Sequence, residues 1–365
     1  MIPELVRMFK GRKVNVYVFG AGASAHLEAP LTKDFLREGF SLLCYPENEV
    51  SKEAFRLAAQ LIDKLYGSQL EKYVKDPYSG YLRVPPVNIE ELLSFVDLGR
   101  RRGEKWLPFK DLQSALYEFI FTTLEQKTHW YRADSVRIGE NGTLDHRRNC
   151  YDKLIDYVMP IDDINCMISF NYDLFLDRAV VINNHGIRGD YHISFEHIEN
   201  FPSYETLLSE GKREKDVDLL KLHGSLNWAY CPSCKEISLF FYQRYQDIFK
   251  KPCRKCKSQL EPILVPPVYF KDIPEPLANV WGVAENYLEQ ADRLIIIGYS
   301  FPDIDMEAKW LLKRAICKNK NKPSLTIVNP DENTQKRIVN FFGNSVDQNV
   351  TFYDNFEEYI DKNLP

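Results

Sequence analysis

Apolar positions fall along this chain in two periods. Val14-Asn15-Val16-Tyr17-Val18-Phe19, Ile164 to Phe170, Leu219 to Leu222, Arg293 to Ile297, Leu325 to Val328 and Val350 to Tyr353 are short apolar runs without strict alternation. That is the pattern of strands buried on both faces. Helical spacing separates them, at Leu174 to Val181, Met306 to Ile316, Asn333 to Phe342 and a short C-terminal segment. The alternation predicts an α/β fold, a Rossmann-like parallel sheet with helices on both faces. Between about residues 51 and 130 the pattern turns helical. Phe55, Leu57, Leu61 and Ile62 recur at helical spacing, then Leu92, Leu93 and Val96, then Leu112, Leu116, Ile120 and Leu124, which predicts a helical insertion. Tyr131 to Arg148 is polar without apolar period and reads as an exposed loop, while Phe170, Phe175 and Trp310 are expected in the core. No internal repeat or low-complexity tract stands out.

Composition narrows the partners. The chain has 365 residues, 44% apolar and 27% charged, with a net charge of −5, enough to bury a full core without disulfides. The negative balance argues against bulk nucleic-acid binding, which needs excess Lys and Arg. The start, Met1-Ile2-Pro3-Glu4-Leu5, lacks the apolar region of a signal peptide, and no run approaches the roughly 18 to 20 apolar residues of a membrane span. A cytoplasmic protein with no membrane partner is expected.

Of eight cysteines, Cys44, Cys150, Cys166 and Cys317 are scattered, and four form two pairs. Cys231-Pro232-Ser233-Cys234 precedes Cys253-Arg254-Lys255-Cys256 by eighteen residues, a spacing that sets four thiolates round one structural zinc. Lys235, Arg254, Lys255 and Lys257 are expected to offset thiolate charge. An iron–sulfur site or a redox dithiol is the alternative. The expected division is residues 1–50 as the first part of the sheet domain, 51–150 as the helical insertion, 151–225 as the sheet domain continued, 226–262 as a zinc ribbon, and 263–365 as the sheet domain completed.

Five turns at predicted strand ends carry candidate chemistry. Gly20-x-Gly22-x-x-Ala25 follows the first strand and fits a loose dinucleotide fingerprint, or equally a tight strand-to-helix turn. Ser169-Phe170-Asn171-Tyr172-Asp173 puts an Asn and an Asp where parallel sheets bind ligands, although Asp173 also fits as the cap of the next helix. Lys221-Leu222-His223-Gly224-Ser225 puts a histidine, the side chain suited to proton transfer near neutral pH, before a glycine that clears space. Ile296-Ile297-Gly298-Tyr299-Ser300 and Thr326-Ile327-Val328-Asn329-Pro330-Asp331 end in turns where Asn329 and Asp331 either meet ribose hydroxyls or form the turn.

In this order the elements resemble the sirtuin family, over about residues 14 to 331. The resemblance implies an NAD pocket between a Rossmann-like domain and a small zinc-bearing module. It would put Gly20, Ala21, Gly22 and Ser24 along the pyrophosphate, and Gly298, Ser300 and Asn329 on the phosphate and adenosine side. Asn171 would lie near the nicotinamide ribose, Asp173 at the carboxamide, and His223 would act as general base.

The departures from the family are informative. Where deacylases continue to Pro-Asp-Phe-Arg this chain reads Pro30-Leu31-Thr32-Lys33, without the shielding aromatic, and the ribose-binding glutamine of the family is replaced in Ser169-Phe170-Asn171-Tyr172-Asp173. Val265-Pro266-Pro267-Val268-Tyr269-Phe270 stands where an acyl-peptide edge would be, and prolines remove donors needed for strand pairing. Gly298-Tyr299-Ser300-Phe301-Pro302-Asp303 is similar to the sirtuin-like NAD hydrolases of bacterial anti-phage systems. The resemblance implies an NAD+ glycohydrolase, forming homo-oligomers and working with a partner such as a HerA-type ATPase. A protein deacylase and a non-catalytic NAD or ADP-ribose sensor are the competing readings.

Overall fold

A computed structural model describes residues 11–45, 50–78, 81–128, 137–138, 144–145, 149–158, 162–182, 188–199, 216–240, 245–265 and 273–364. Its strands are β1 (Val14–Phe19), β2 (Arg137–Ile138), β3 (Leu144–Asp145), β4 (Ile164–Ser169), β5 (Arg188–Asp190), β6 (His197–Glu199), β7 (Asp216–Lys221), β8 (Gly224–Tyr230), β9 (Ile237–Phe240), β10 (Glu261–Leu264), β11 (Arg293–Ile297), β12 (Ser324–Val328) and β13 (Thr351–Tyr353). Seven of them form one sheet, in the order β13-β12-β11-β1-β4-β7-β5, with every pair parallel. Helices cover both faces, and all six residues of β1 are buried, as the unalternating apolar run requires. The chain order reverses at β1, which lies between β11 and β4, so a crevice opens beyond the carboxyl ends of these strands.

The helices are α1 (Phe35–Ser41), α2 (Lys52–Tyr66), α3 (Leu70–Lys75), α4 (Ile89–Arg101), α5 (Phe109–Thr128), α6 (Cys150–Val158), α7 (Phe175–Ile182), α8 (Tyr245–Ile248), α9 (Glu275–Gln290), α10 (Met306–Lys318), α11 (Glu332–Phe342) and α12 (Phe356–Asn363). The first five bury their apolar faces against one another in a second core. There the ring of Phe55 lies 4.5 Å from Phe119, and Phe40 lies 5.0 Å from Phe119. Ser51 and Asn88 cap α2 and α4 by accepting the N–H groups of Ala54 and Glu91, satisfying donors that each helix start leaves open. Leu174 and Leu226 belong to this core, so the helical layer abuts the sheet at its carboxyl edge.

Two expectations need correction. Trp310 is 57% exposed and stacks under the Arg314 guanidinium at 3.9 Å, because α10 turns that face to solvent. Within 131–148, the antiparallel pair β2 and β3 replaces part of the expected loop; the remaining positions lie outside the described residues. No helix among the described residues is long and apolar enough to cross a membrane.

At the sheet edge, His192 Nε2 lies 2.5 Å from Asp218 Oδ1, and Tyr287 donates to the other oxygen of Asp218. Burial lowers the imidazole pKa, but the hydrogen bond and charge of Asp218 outweigh it and the pKa is raised. The stability from this pair is therefore complete below about pH 6.5 and is lost as pH rises through the raised value. His192→Asn should lower the melting temperature by about 2–4 °C at pH 6, the effect of about 1 kcal/mol, and by less at pH 8.5. Thermal melts across pH check this; a gap independent of pH would show that the pair does not titrate as described.

Candidate active site

The strand register sets up the site. Phe19 pairs with Ser169 and Ile297, Ser169 with Lys221, Ile297 with Val328, and Val328 with Tyr353, so six strands end in one row. The turns that follow line a cleft of about 620 Å³, closed on one side by Ile89, Ile120 and Leu124 of the helical core. Gly20, Ala21, Gly22, Asn171, Asp173, His223, Gly298, Ser300 and Asn329 all line it, as do Leu31, Thr32 and Lys33.

The glycines serve a close approach of two turns. Gly20 N donates to Ile297 O at 3.0 Å and Gly22 N to Gly298 O at 2.9 Å. A Cβ at Gly298, whose φ is +63°, would lie 2.0 Å from Ala23 N, so only glycine fits. The Ala23 N–H is bonded to Gly20 O. Three amides of the glycine turn, those of Gly20, Gly22 and Ala23, are thus spent within the protein, and the segment continues as a 3-10 helix, Ala21–Leu27.

Ser24 does not line the cleft. It is fully buried behind it, donates to Asp173 Oδ2 at 2.9 Å and lies 2.8 Å from the Tyr151 hydroxyl. Asn171 Nδ2 donates to Gly20 O at 3.0 Å and to Ser24 Oγ at 3.4 Å, which fixes the amide across the floor. Asp173 Oδ1 accepts the Phe175 N–H at 3.2 Å, and the residue also lines the cleft. Below it the buried Lys221 Nζ donates to Asp173 O at 2.6 Å and to Asp177 Oδ2 at 2.7 Å. Burial pushes the Asp173 carboxyl pKa up, and the charge of Lys221 offsets part of that.

His223 is buried, with its ring 5.0 Å from Phe170 and 6.2 Å from Tyr172, and Nε2 lies 3.6 Å from Asp305 Oδ2. Its carbonyl accepts Val265 N at 2.9 Å. Gly224, at φ +84°, would place a Cβ 1.9 Å from Ile263 O, so this glycine admits the neighbouring strand end rather than a ligand. Asn329 Oδ1 accepts the Asp331 N–H at 3.0 Å, and Asp331 caps α11 through Asn333 N and Thr334 N. Both line the cleft while holding their turn.

Several lining residues escape sequence reading. Tyr299, Asp305, His26, Glu90 and Asp354 to Glu357 face the cleft; Asp305 reads in sequence as the cap of an apolar helix. Aromatic side chains are present too, as Phe35 and Phe170 line the cleft.

The four cysteines come together after β8 and before β10. Cys231 and Cys256 sulfurs are 3.3 Å apart, Cys234 and Cys253 3.5 Å, and all four lie within 4.8 Å of one another. A tetrahedron of bonds of about 2.3 Å has edges of about 3.8 Å, so the donor set fits one structural zinc. The knuckles are alike, with Lys235 N returning to Cys231 O and Lys257 N to Cys253 O, both lysines at positive φ. The basic residues also have other partners, while Lys235 and Lys255 still interact with the charge of Cys231, Cys234 and Cys253. Lys255 pairs with Glu236 at 2.6 Å, Arg254 with Glu199 at 2.8 Å, and Lys235 stands over the Tyr230 ring. Asp190, His192 and Asp218 also bring ligand atoms together, but their mutual hydrogen bonds account for that group, and none lines the cleft.

A family model described as a SIR2-like domain matches residues 165–345. Comparison with curated proteins finds no match. Among solved structures, a Sir2 enzyme is 15% identical, with a TM-score of 0.42, covering 99% of this chain and 94% of that one. A Sir2 homologue mutant bound to ADP-ribose is 16% identical, with a TM-score of 0.43 and coverage of 99% and 94%. Sir2 in complex with an inhibitor, 2′-O-acetyl-ADP-ribose and a deacetylated peptide is 13% identical, with a TM-score of 0.40 and coverage of 99% and 96%. The family match takes in Asn171, Asp173, His223, Gly298, Ser300, Asn329 and all four ribbon cysteines, and by it this part of the chain is a SIR2-like domain.

Proposed function

We propose that the cleft binds NAD+ and that the protein hydrolyses its nicotinamide–ribose bond. The observation that carries this is the convergence of Asn171 and Asp173, from the end of β4, with His223, from the end of the neighbouring β7, on the cleft that the glycine turns open. The SIR2-like domain match over residues 165–345 supports NAD as the substrate. Breaking the bond leaves an oxocarbenium-like ribose and neutral nicotinamide, so the protein's task is to stabilise positive charge and to direct a nucleophile. Asp173 is assigned to the carboxamide side and Asn171 to the ribose. Water adds at the anomeric carbon and its proton passes to His223, giving nicotinamide, ADP-ribose and a proton.

Water is the acceptor in this reading because Leu31, Thr32 and Lys33 stand at the cleft where an acyl-lysine enzyme carries a shielding segment. Pro266 to Phe270, where an acyl-peptide edge would be, lie outside the described residues. A constantly active hydrolase would deplete NAD in its own cell. The reading therefore includes a restrained state released by assembly with further copies or a partner, in keeping with a role in defence.

The complete assembly incubated with NAD+ should release nicotinamide and ADP-ribose in equal amounts without peptide, as measured by chromatography. Consumption of NAD+ only with an acylated peptide, with O-acyl-ADP-ribose as product, would make the protein a deacylase. Tight binding without turnover would make it a sensor.

A further inference from the structure

We infer that Asp305 is the positioning residue of His223, a buried carboxylate that sets the basicity of the imidazole. The inference rests on the proposed role of His223 in NAD cleavage. Asp305 precedes α10, where an aspartate ordinarily accepts the N–H groups of the first helical turn, yet its side chain makes no cap hydrogen bond. The carboxylate faces the cleft instead, with Oδ2 at 3.6 Å from His223 Nε2. The Tyr299 hydroxyl donates to the same oxygen at 2.7 Å, and Tyr299 is stacked on Phe170 at 4.5 Å, the ring that also flanks His223.

Asp305 and His223 are 2% and 5% exposed. At such depth a charge 3.6 Å away acts through little water and favours the protonated imidazole. When His223 takes the proton of the attacking water it becomes an imidazolium, and Asp305, staying ionised, balances that charge without itself taking the proton. Tyr299 holds the carboxylate on the side that faces the ring. Among the described residues, the other groups with charge or titrating protons near this end of the cleft include Glu90 of α4, whose charge reaches Tyr172 and Tyr299, those two tyrosines, and Tyr117, which acts on Tyr172. Burial pushes the pKa values of Tyr172 and Tyr299 well up, so they stay neutral, and among the described residues Asp305 and Glu90 are the acids to compare.

The test is the titration of His223 in the full chain without substrate, followed by NMR with the signal assigned from His223→Gln. Asp305→Asn should lower the His223 pKa by at least about one pH unit, and Glu90→Gln by clearly less. The same pKa in Asp305→Asn and in the native chain, or an equal fall in Glu90→Gln, would overturn the inference. Should Asp305→Asn not fold, Tyr299→Phe reads the same carboxylate from its other side. Removing the shared hydrogen bond frees more of the charge for His223, whose pKa should rise; no change or a fall counts against the inference.

Kinetics add a second readout. In Asp305→Asn, kcat should fall at least about tenfold with KM within about twofold, and the acid limb of the rate profile should move to lower pH. A drop in kcat with an unmoved acid limb would mark a merely structural role. If the native assembly does not cleave NAD+, the proposed function fails, while the titration still decides whether Asp305 sets the state of His223.

Discussion

His223→Ala and Asn171→Ala should each lower NAD+ cleavage by at least about a hundredfold, or about 2.7 kcal/mol of barrier, with the fold intact. The two act differently. Loss of His223 removes the group proposed to take the water's proton, while its carbonyl bond to Val265 N survives because it is main chain. Loss of Asn171 removes the amide that links Gly20 O to Ser24 Oγ across the cleft floor, together with its proposed contact to the ribose. Asp173→Ala should be milder in rate and costlier in stability. Its carboxylate caps α7 and accepts from Ser24, and the cap alone is worth about 1 kcal/mol. Steady-state rates with thermal melts separate the two effects. Full activity in either alanine variant would return Asn171 to a turn former and His223 to a packed core residue.

Removing the metal should be equally damaging, although no ribbon cysteine lines the cleft. The purified chain is expected to carry about one zinc, lost in Cys231→Ser and Cys253→Ser. Apparent zinc binding in such sites is worth about 10–16 kcal/mol, comparable with the whole stability of a domain. Loss of metal should therefore unfold the ribbon outright. The damage then reaches the cleft along the chain, because β8 runs from Gly224, next to His223, to Tyr230, next to Cys231. Val265, which holds the His223 carbonyl, directly follows β10, the strand paired to β8. Metal analysis, far-UV spectra and NAD+ turnover on the same samples make the comparison. Folded protein without zinc, or with iron and visible absorbance, would reject the assignment.

The parallel sheet was legible because its strands are buried on both faces, and so appear as unbroken apolar runs such as Leu294 to Ile297. The candidate site was legible where it sits at strand ends, since strand register alone brings Gly20, Phe170 and Gly298 side by side. Side-chain direction was not legible. Asp305 and Asp331 both precede helices, and only the fold shows that Asp331 caps its helix while Asp305 turns into the cleft. Trp310 misled for a similar reason, as an apolar residue on an amphipathic helix does not declare which side of the stripe it occupies. Ser24 lies within a glycine-rich turn and looked like a ligand contact, yet the tight winding after Gly22 rotates its hydroxyl inward to Asp173.

The central position of β1 has a consequence for how the chain comes to be folded. Val14 N bonds to Asp292, a residue 278 positions later, and its other neighbour, β4, begins at Ile164. At a synthesis rate of about 5–20 residues per second, the first strand waits on the order of ten to sixty seconds before its second edge can be covered. Through that interval Val14 to Phe19 is an apolar ribbon with open hydrogen-bonding edges, the kind of segment that recruits other chains. The helical layer, Phe35 to Thr128, contacts mainly itself and can condense meanwhile. Refolding from denaturant should accordingly show early helical structure, then slow completion of the sheet, with yield falling as protein concentration rises.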